Sequence, residues 1–146
     1  MDKVSPEERS RVMARVKSRD TGPEKRVRSM MHRLGLRFRL HRRDLPGTPD
    51  LTLPGRQTVV FVHGCFWHRH AGCPQASTPA VNVDYWTRKF ARNQARDAEA
   101  VERLTALGWR VVIVWECELR RPQQLEERLR RIFLTPDGAS DRRPMV

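Results

Sequence analysis

Two short apolar runs constrain the fold of this 146-residue chain more than any other feature. Residues 58–62 read Thr-Val-Val-Phe-Val, and residues 109–115 carry Val-Val-Ile-Val close to a tryptophan at each end. Apolar, β-branched runs without polar alternation are typical of strands buried on both faces of a sheet. Residues 84–107, between the runs, have the spacing of an amphipathic helix that ends before Gly108. The pattern predicts two central strands with a long helix between them.

The remaining segments add helices and short strands around this centre. Capping residues and apolar spacing predict three further helices, which begin at Ser5, Thr21 and Pro122. Alternating side chains and turn residues predict two further strands, at residues 36–40 and 50–53.

The order of predicted elements is α-α-β-β-β-loop-α-β-α, which suits an α/β fold with a mixed sheet flanked by helices. We expect one domain over residues 1–135. Residues 136–146 are small, polar and charged, so a disordered tail is expected there.

The charge balance favours a polyanionic partner. The chain carries 29 Lys and Arg against 17 Asp and Glu, a formal net charge of +12. Residues 1–44 hold fourteen basic and six acidic groups, net +8, which leaves +4 for the rest. Such a segment favours nucleic acid, although a solvated arginine-rich surface would give the same count. No apolar stretch approaches the roughly 20 residues of a membrane span, and the N-terminus lacks an apolar signal segment. We therefore expect no membrane partner and a cytoplasmic location.

Cysteine and histidine follow the first buried run with the spacing of a metal site. Cys65, His70 and Cys73 form a C-x₄-H-x₂-C pattern, and Cys117 follows the second buried run. If the two strands are adjacent and end at the same sheet edge, Cys117 completes a Cys₃His set, which is typical of structural zinc. Zn²⁺ is therefore an expected cofactor, and three unrelated buried cysteines are the alternative.

A second group of polar residues reaches the same edge. Asp50 begins a short strand, and His63 and His68 follow the first buried run. A carboxylate is a ligand for Mg²⁺, and histidines beside a metal-bound phosphate suit phosphodiester hydrolysis. Asp50 has an ordinary alternative as a turn cap, and Glu24 has one as the third residue of a helical capping box.

Five separated blocks of the sequence resemble the very-short-patch repair (Vsr) DNA mismatch endonucleases. The similarity runs from about Ser10 to Phe133 and keeps the order of elements. The blocks are Arg19-Asp20-Thr21 with Glu24-Lys25-Arg26, Leu45-Pro46-Gly47-Thr48-Pro49-Asp50, His63-Gly64-Cys65-Phe66-Trp67-His68, Asn93 with Arg96-Asp97, and Val114-Trp115-Glu116-Cys117.

The resemblance implies the fold of the PD-(D/E)-x-K restriction endonucleases with a degraded motif. Pro49 and Asp50 remain, and His63 stands where the lysine would be. It also implies Mg²⁺-dependent nicking of DNA 5′ to the mispaired T of a T·G mismatch, which arises when 5-methylcytosine deaminates. The expected partners are double-stranded DNA with this mismatch and mismatch-repair proteins, and the expected state is a monomer in a bacterial cell.

The resemblance also assigns roles to residues. Asp50 would bind Mg²⁺, His68 would be the general base, and His63 would contact the scissile phosphate. Glu24 and Asp97 would support these groups. The residues that would contact DNA are Phe66, Trp67 and Trp86 as a wedge beside the mismatch, Met13 on a helix within residues 1–20 that clasps the minor groove, and Lys89 and Asn93.

The sequence departs from the family pattern in two places. Val62 stands where Thr is common, so only its backbone carbonyl would bind Mg²⁺. Ala71 and Gly72 precede Cys73 where some members have histidines, which shifts the spacing of the zinc ligands. Two other functions stay open, a zinc-stabilised DNA-binding module without catalysis and a related nicking endonuclease of other specificity.

Overall fold

A computed structural model describes residues 21–134 as three α-helices and a four-stranded sheet. The helices are α1 (Gly22–Arg33), α2 (Val83–Ala106) and α3 (Pro122–Phe133). The strands are β1 (Arg39–Leu40), β2 (Leu51–Leu53), β3 (Thr58–His63) and β4 (Arg110–Trp115). Short 3₁₀ helices follow β2 at Pro54–Arg56 and β4 at Glu116–Arg120. The predicted N-terminal helix and the predicted tail lie outside the described residues. None of the described helices is long and apolar enough to cross a membrane.

The sheet is mixed, as the sequence predicts. Its strand order is β1-β2-β3-β4, in which β1/β2 and β2/β3 are antiparallel and β3/β4 are parallel. In the parallel pair, Thr58 lies opposite Arg110 and His63 lies opposite Trp115. Both buried runs therefore end at the same edge of the sheet, and the loops that follow them begin side by side.

Each face of the sheet carries its own apolar layer, because the side chains of β3 and β4 alternate between faces. On one face, Val60 and Val112 pack with residues of α1 and α3. On the other face, Val59 and Ile113 pack with Leu104 of α2. Burial on both faces explains why these two strands show no polar alternation in the sequence.

The helices begin where their caps predict, but one strand is shorter than predicted. The Thr21 hydroxyl accepts a main-chain N–H of α1, and Pro122 is the first residue of α3. Within residues 36–40, only the last two residues pair with β2. Leu36 is buried in the layer below α1, so the alternation there reflects side-chain packing and not strand pairing.

Gly47 lets the turn before β2 pass close to the sheet. Its φ is +74°, in the left-handed region that favours glycine. A Cβ atom at this position would lie 2.7 Å from the Cβ of Ala100 and 3.2 Å from the Cζ of Phe61. Because this turn leads directly into Asp50, Gly47 helps to determine where that carboxylate meets the sheet.

Replacing Gly47 with alanine is expected to destabilise the protein by about 2 kcal/mol or more, because strained backbone and overpacking each cost about 1–3 kcal/mol. Gly22→Ala is the matched control, since no described atom lies within 4 Å of a Cβ at the start of α1. That control should change stability by less than about 1 kcal/mol. Urea unfolding measures both variants, and equal stabilities would contradict the close approach at Gly47.

Candidate active site and metal centre

Four cysteine and histidine side chains meet where β3 and β4 end. Cys65 follows β3, Cys117 follows β4, and the loop after β3 contributes His70 and Cys73. The ligand atoms of all four residues lie within 4.8 Å of one another. His70 Nδ1 lies 3.4 Å from the Cys117 Sγ and 3.7 Å from the Cys65 Sγ. The structure thus brings together the four residues that the sequence pattern grouped, which we call the Cys/His cluster.

The donor atoms of the Cys/His cluster suit a cation. Burial raises the pKa of the Cys65 thiol to about 12 and also raises the pKa of the Cys117 thiol. A main-chain hydrogen bond from Gln75 lowers the pKa of the Cys73 thiol. A buried thiolate needs a positive charge beside it, which a metal ion supplies. Three sulfur atoms and one imidazole nitrogen at these separations fit tetrahedral Zn²⁺.

A second group of ligand atoms lies at the start of β2. Asp50 Oδ2 accepts the main-chain N–H of Val62 at 2.7 Å. Glu24, on α1, is only 3% exposed and accepts hydrogen bonds from His41 Nε2 at 3.1 Å and from Arg28 Nη2 at 3.2 Å. Ligand atoms of Glu24, His41 and Asp50 lie within 4.8 Å of one another. Helix capping therefore does not fully explain Glu24, because its carboxylate also lies beside His41 and Asp50.

Burial raises the pKa of Asp50 to about 7, and the neighbouring Glu24 carboxylate adds to the rise. Two carboxylates this close repel each other when both are ionised, and a hard divalent cation would remove that repulsion. The N–H and C=O groups of one strand residue point toward the same neighbouring strand. The carbonyl of Val62 is therefore expected on the same side of β3 as its N–H, which donates to Asp50.

Two histidine rings stack at the end of β3. The ring centroids of His63 and His68 lie 3.8 Å apart, with 4° between the ring planes. His68 Nδ1 donates to Asp97 Oδ2, on α2, at 2.6 Å. In the neutral ring this bond leaves the lone pair on Nε2, and 29% of the His68 side chain is exposed. A ring oriented in this way is suited to accept a proton.

His63 has a different chemical role from His68 because it is buried. Burial lowers its pKa to about 3, so the ring is neutral at pH 7. The resemblance places His63 where a lysine would stand, and a neutral ring does not restore that positive charge, although it can form a hydrogen bond with a phosphate oxygen. Its Nδ1 has no hydrogen-bond partner among residues 21–134.

Phe66 and Trp67 belong to an aromatic cluster at the start of α2. Five ring pairs among Phe66, Trp67, Trp86 and Phe90 have centroid distances between 5.1 and 5.9 Å. Trp86 is only 8% exposed, whereas Phe66 and Trp67 are half-buried. The resemblance assigns all three to a DNA wedge. In this structure Trp86 packs against the other two, because it lies on the buried side of α2, and they carry the accessible surface.

Arg69 fixes the loop that carries these aromatic residues. Its guanidinium carbon lies 4.0 Å from the ring centroid of Phe90. It also donates hydrogen bonds to the main-chain carbonyls of Phe66, Ala76 and Ser77. A planar guanidinium can serve several carbonyls and an aromatic face at once. Arg69 was not predicted, since its only signal in the sequence is a basic residue between two histidines.

Asn93 also supports the aromatic cluster instead of facing outward. Its Nδ2 donates to the Trp67 carbonyl at 3.1 Å, and its Oδ1 accepts from Arg96. Both ends of the amide are thus engaged, and the residue is only 8% exposed. The contact of Asn93 with DNA stays a prediction, and in this structure the side chain holds the Trp67 carbonyl.

Two further residues, Lys89 and Met13, were expected to contact DNA. Lys89 is half-buried on α2, and Met13 lies outside the described residues. His41 and Arg28 were not predicted, because no sequence spacing connects them to Asp50. Only the fold places β1 beside β2 and thereby brings His41 to Glu24.

Comparisons with known proteins find endonucleases and nicking enzymes. Residues 1–75 match the family model described as DNA mismatch endonuclease Vsr. The chain is 53% identical to the type II nicking enzyme V.XorIIP of Xanthomonas oryzae pv. oryzae, over 90% of this chain and 96% of that protein. It is 43% identical to DNA mismatch endonuclease Vsr of Escherichia coli, over 82% of this chain and 76% of that protein. A solved structure, the catalytic domain of the homing endonuclease I-Bth0305I, matches with a TM-score of 0.47 and 19% identity over 77% of this chain and 93% of that domain.

The raised pKa of Asp50 predicts a pH-dependent cost in stability. The folded pKa of about 7 lies above the usual value of 3.8, so folding favours the protonated carboxyl. The stabilisation of the folded protein that results, roughly 2–4 kcal/mol, is fully present below about pH 4 and is lost as the pH rises to about 7. Asp50→Asn removes this loss. In buffer without divalent cations, the variant should match the wild type at pH 4 and be more stable at pH 8.

Urea unfolding across this pH range measures the difference between the two proteins. No chelator is added, so that the Cys/His cluster keeps any metal it holds. Parallel stability curves for the two proteins would contradict the buried, protonated state of Asp50.

Proposed function

The chain belongs to the Vsr family of DNA mismatch endonucleases, and we propose that it nicks one DNA strand 5′ to the mispaired T of a T·G mismatch by Mg²⁺-dependent hydrolysis. One observation carries the proposal. Asp50 accepts the main-chain N–H of Val62, and the Asp97-bound ring of His68 stacks on His63, the residue that follows Val62. A place for a cation and a general base are the two components of assisted phosphodiester hydrolysis.

The oxygen atoms near Asp50 are the donors that Mg²⁺ prefers. Asp50 and the carbonyl of Val62 would hold the ion, and Glu24 would add a second carboxylate. When bound, Mg²⁺ would offset the negative charge that develops on the phosphate. His41 and Arg28 donate to Glu24 and keep its carboxylate in place beside Asp50.

His68 would act as the general base. Its Nε2 would take a proton from the attacking water, and the Asp97 carboxylate at Nδ1 would orient the ring. His63 would donate a hydrogen bond from its neutral ring to a phosphate oxygen, and its stacking on His68 would limit the motion of the base.

Phe66 and Trp67 would find the mismatch by wedging between base pairs. Unstacking one step costs a few kcal/mol, and a mispaired step resists less, so insertion itself discriminates. Trp86, Arg69 and Asn93 would keep the two rings in position before DNA binds. Met13 and Lys89 are further DNA contacts in this proposal, and mismatch-repair proteins are further partners.

The Cys/His cluster would hold structural Zn²⁺. This ion would join the loop after β3 to the end of β4 and thereby fix the position of Phe66, Trp67 and His68. A restriction-endonuclease-like fold with a degraded motif is consistent with the same arrangement, because the surviving Asp50 precedes β2 and His63, in the lysine position of the motif, ends β3.

We expect about one zinc ion per chain in protein purified without chelator, because Cys₃His is a closed set of four ligands. Cys117→Ser should lose the zinc and destabilise the protein by several kcal/mol, since structural zinc contributes free energy of folding. Elemental analysis and thermal unfolding measure the two effects. His68→Ala is the control, a histidine of the same loop outside the cluster, and it should keep its zinc. Zinc-free wild-type protein would contradict the assignment.

Wild-type protein with Mg²⁺ should nick the T-containing strand of T·G duplexes and leave matched duplexes intact. A pool of end-labelled duplexes with randomised sequence around the mismatch avoids any assumption about the flanking bases. Strand-resolved gels measure the position and rate of nicking. Equal nicking of paired duplexes would indicate a nicking endonuclease of other specificity, and binding without nicking would indicate a non-catalytic module.

Two variants separate the roles in this reaction. Asp50→Ala should abolish nicking without restoration by added Mg²⁺, while binding to T·G duplexes persists. His68→Ala should lower the rate by about 10²–10⁴-fold, the typical contribution of a general base. The exposed His32 of α1 provides the control, and His32→Ala should nick like the wild type.

A further inference from the structure

A row of four aromatic rings connects the Cys/His cluster to the candidate base. His70 stacks on Trp115, with centroids 4.2 Å apart and 9° between the planes. Trp115 meets the ring of His63 nearly edge-on, at 5.2 Å and 75°. His63 in turn stacks on His68. The row therefore begins at a residue of the Cys/His cluster and ends at His68.

Trp115 is held in place independently of these rings. Its backbone lies opposite His63 in the parallel pair of strands. Its main-chain N–H donates to Glu118 Oε1 at 2.9 Å. Arg128 holds Glu118 by donating to both carboxylate oxygens and also donates to the carbonyl of Ile113. The main chain of Trp115 is thus held by the sheet and by an ion pair between Glu118 and Arg128 of α3.

His63 depends on packing for its position. Its Nδ1 is buried and accepts or donates no hydrogen bond among the described residues. The described rings around it are those of Phe61, Trp115 and His68. Trp115 is the member of this set that also contacts the Cys/His cluster, so it is the contact through which the cluster can orient His63.

We propose that Trp115 is a positioning residue that holds the His63–His68 ring pair in a fixed position relative to the Cys/His cluster. Its indole would block one direction of motion of His63, and His63 would block the corresponding motion of His68. Trp115 itself touches neither water nor phosphate in this scheme. The kinetic part of this inference rests on the proposed function, whereas the ring geometry does not.

Trp115→Leu is the direct test. It should lower kcat by about 10–100-fold, the usual effect of losing a residue that orients a functional group, with KM and zinc content unchanged. The ¹⁵N resonances of the His63 and His68 rings should shift in histidine-labelled protein without DNA. Trp115→Phe should keep kcat within about threefold, because a phenyl ring preserves the aromatic contact. Trp109→Leu is the matched control beside the other end of β4, and it should leave both readouts unchanged.

His70→Cys is the second variant and covers the case in which Trp115→Leu does not fold. It retains four zinc ligands but removes the ring stacked on Trp115. Loss of kcat and shifted ring resonances at full zinc content would support the proposal. Wild-type kcat in either variant, unshifted resonances, or a loss of activity that only follows zinc loss would overturn it. If wild-type protein nicks no T·G duplex, the proposed function fails, and the resonances still decide the role of Trp115.

Discussion

The parallel pairing of β3 with β4 is the constraint on which the Cys/His cluster and the row of aromatic rings depend. Because His63 lies opposite Trp115, the cysteines two residues beyond each strand, Cys65 and Cys117, reach the same place. A register shift of one residue would move every side chain of β4 to the other face of the sheet. The valines buried on both faces oppose such a shift, so the packing of the two apolar layers also maintains the geometry at the strand ends.

Much of this arrangement follows from local sequence signals, because they act over a few residues. Thr21 and Pro122 mark helix starts through capping and a fixed φ, which need no tertiary context. The two valine-rich runs required burial on both faces, and the Cys/His spacing required a shared strand edge. Those physical requirements were sufficient to predict the mixed sheet and to group Cys117 with the loop cysteines.

Other features depend on distant parts of the chain and leave no local signal. His41 approaches Glu24 only because β1 pairs with β2, and the burial of Trp86 depends on how the loop after β3 packs on α2. Asn93 matched a family block, but a block does not report whether its amide faces DNA or the Trp67 carbonyl. The alternation at residues 36–40 misled the strand prediction in the same way, since side-chain periodicity does not require a neighbouring strand.

The ion pair between Glu118 and Arg128 has a consequence for solubility. In the described sheet β4 is an edge strand, rich in valine and isoleucine, and such edges pair readily with strands of other molecules. Arg128 occupies the carbonyl of Ile113, and Glu118 occupies the N–H of Trp115. Both groups point away from β3, where an added strand would bind. The two charged side chains thus occupy hydrogen-bonding groups that an added strand would need, which disfavours edge-to-edge aggregation.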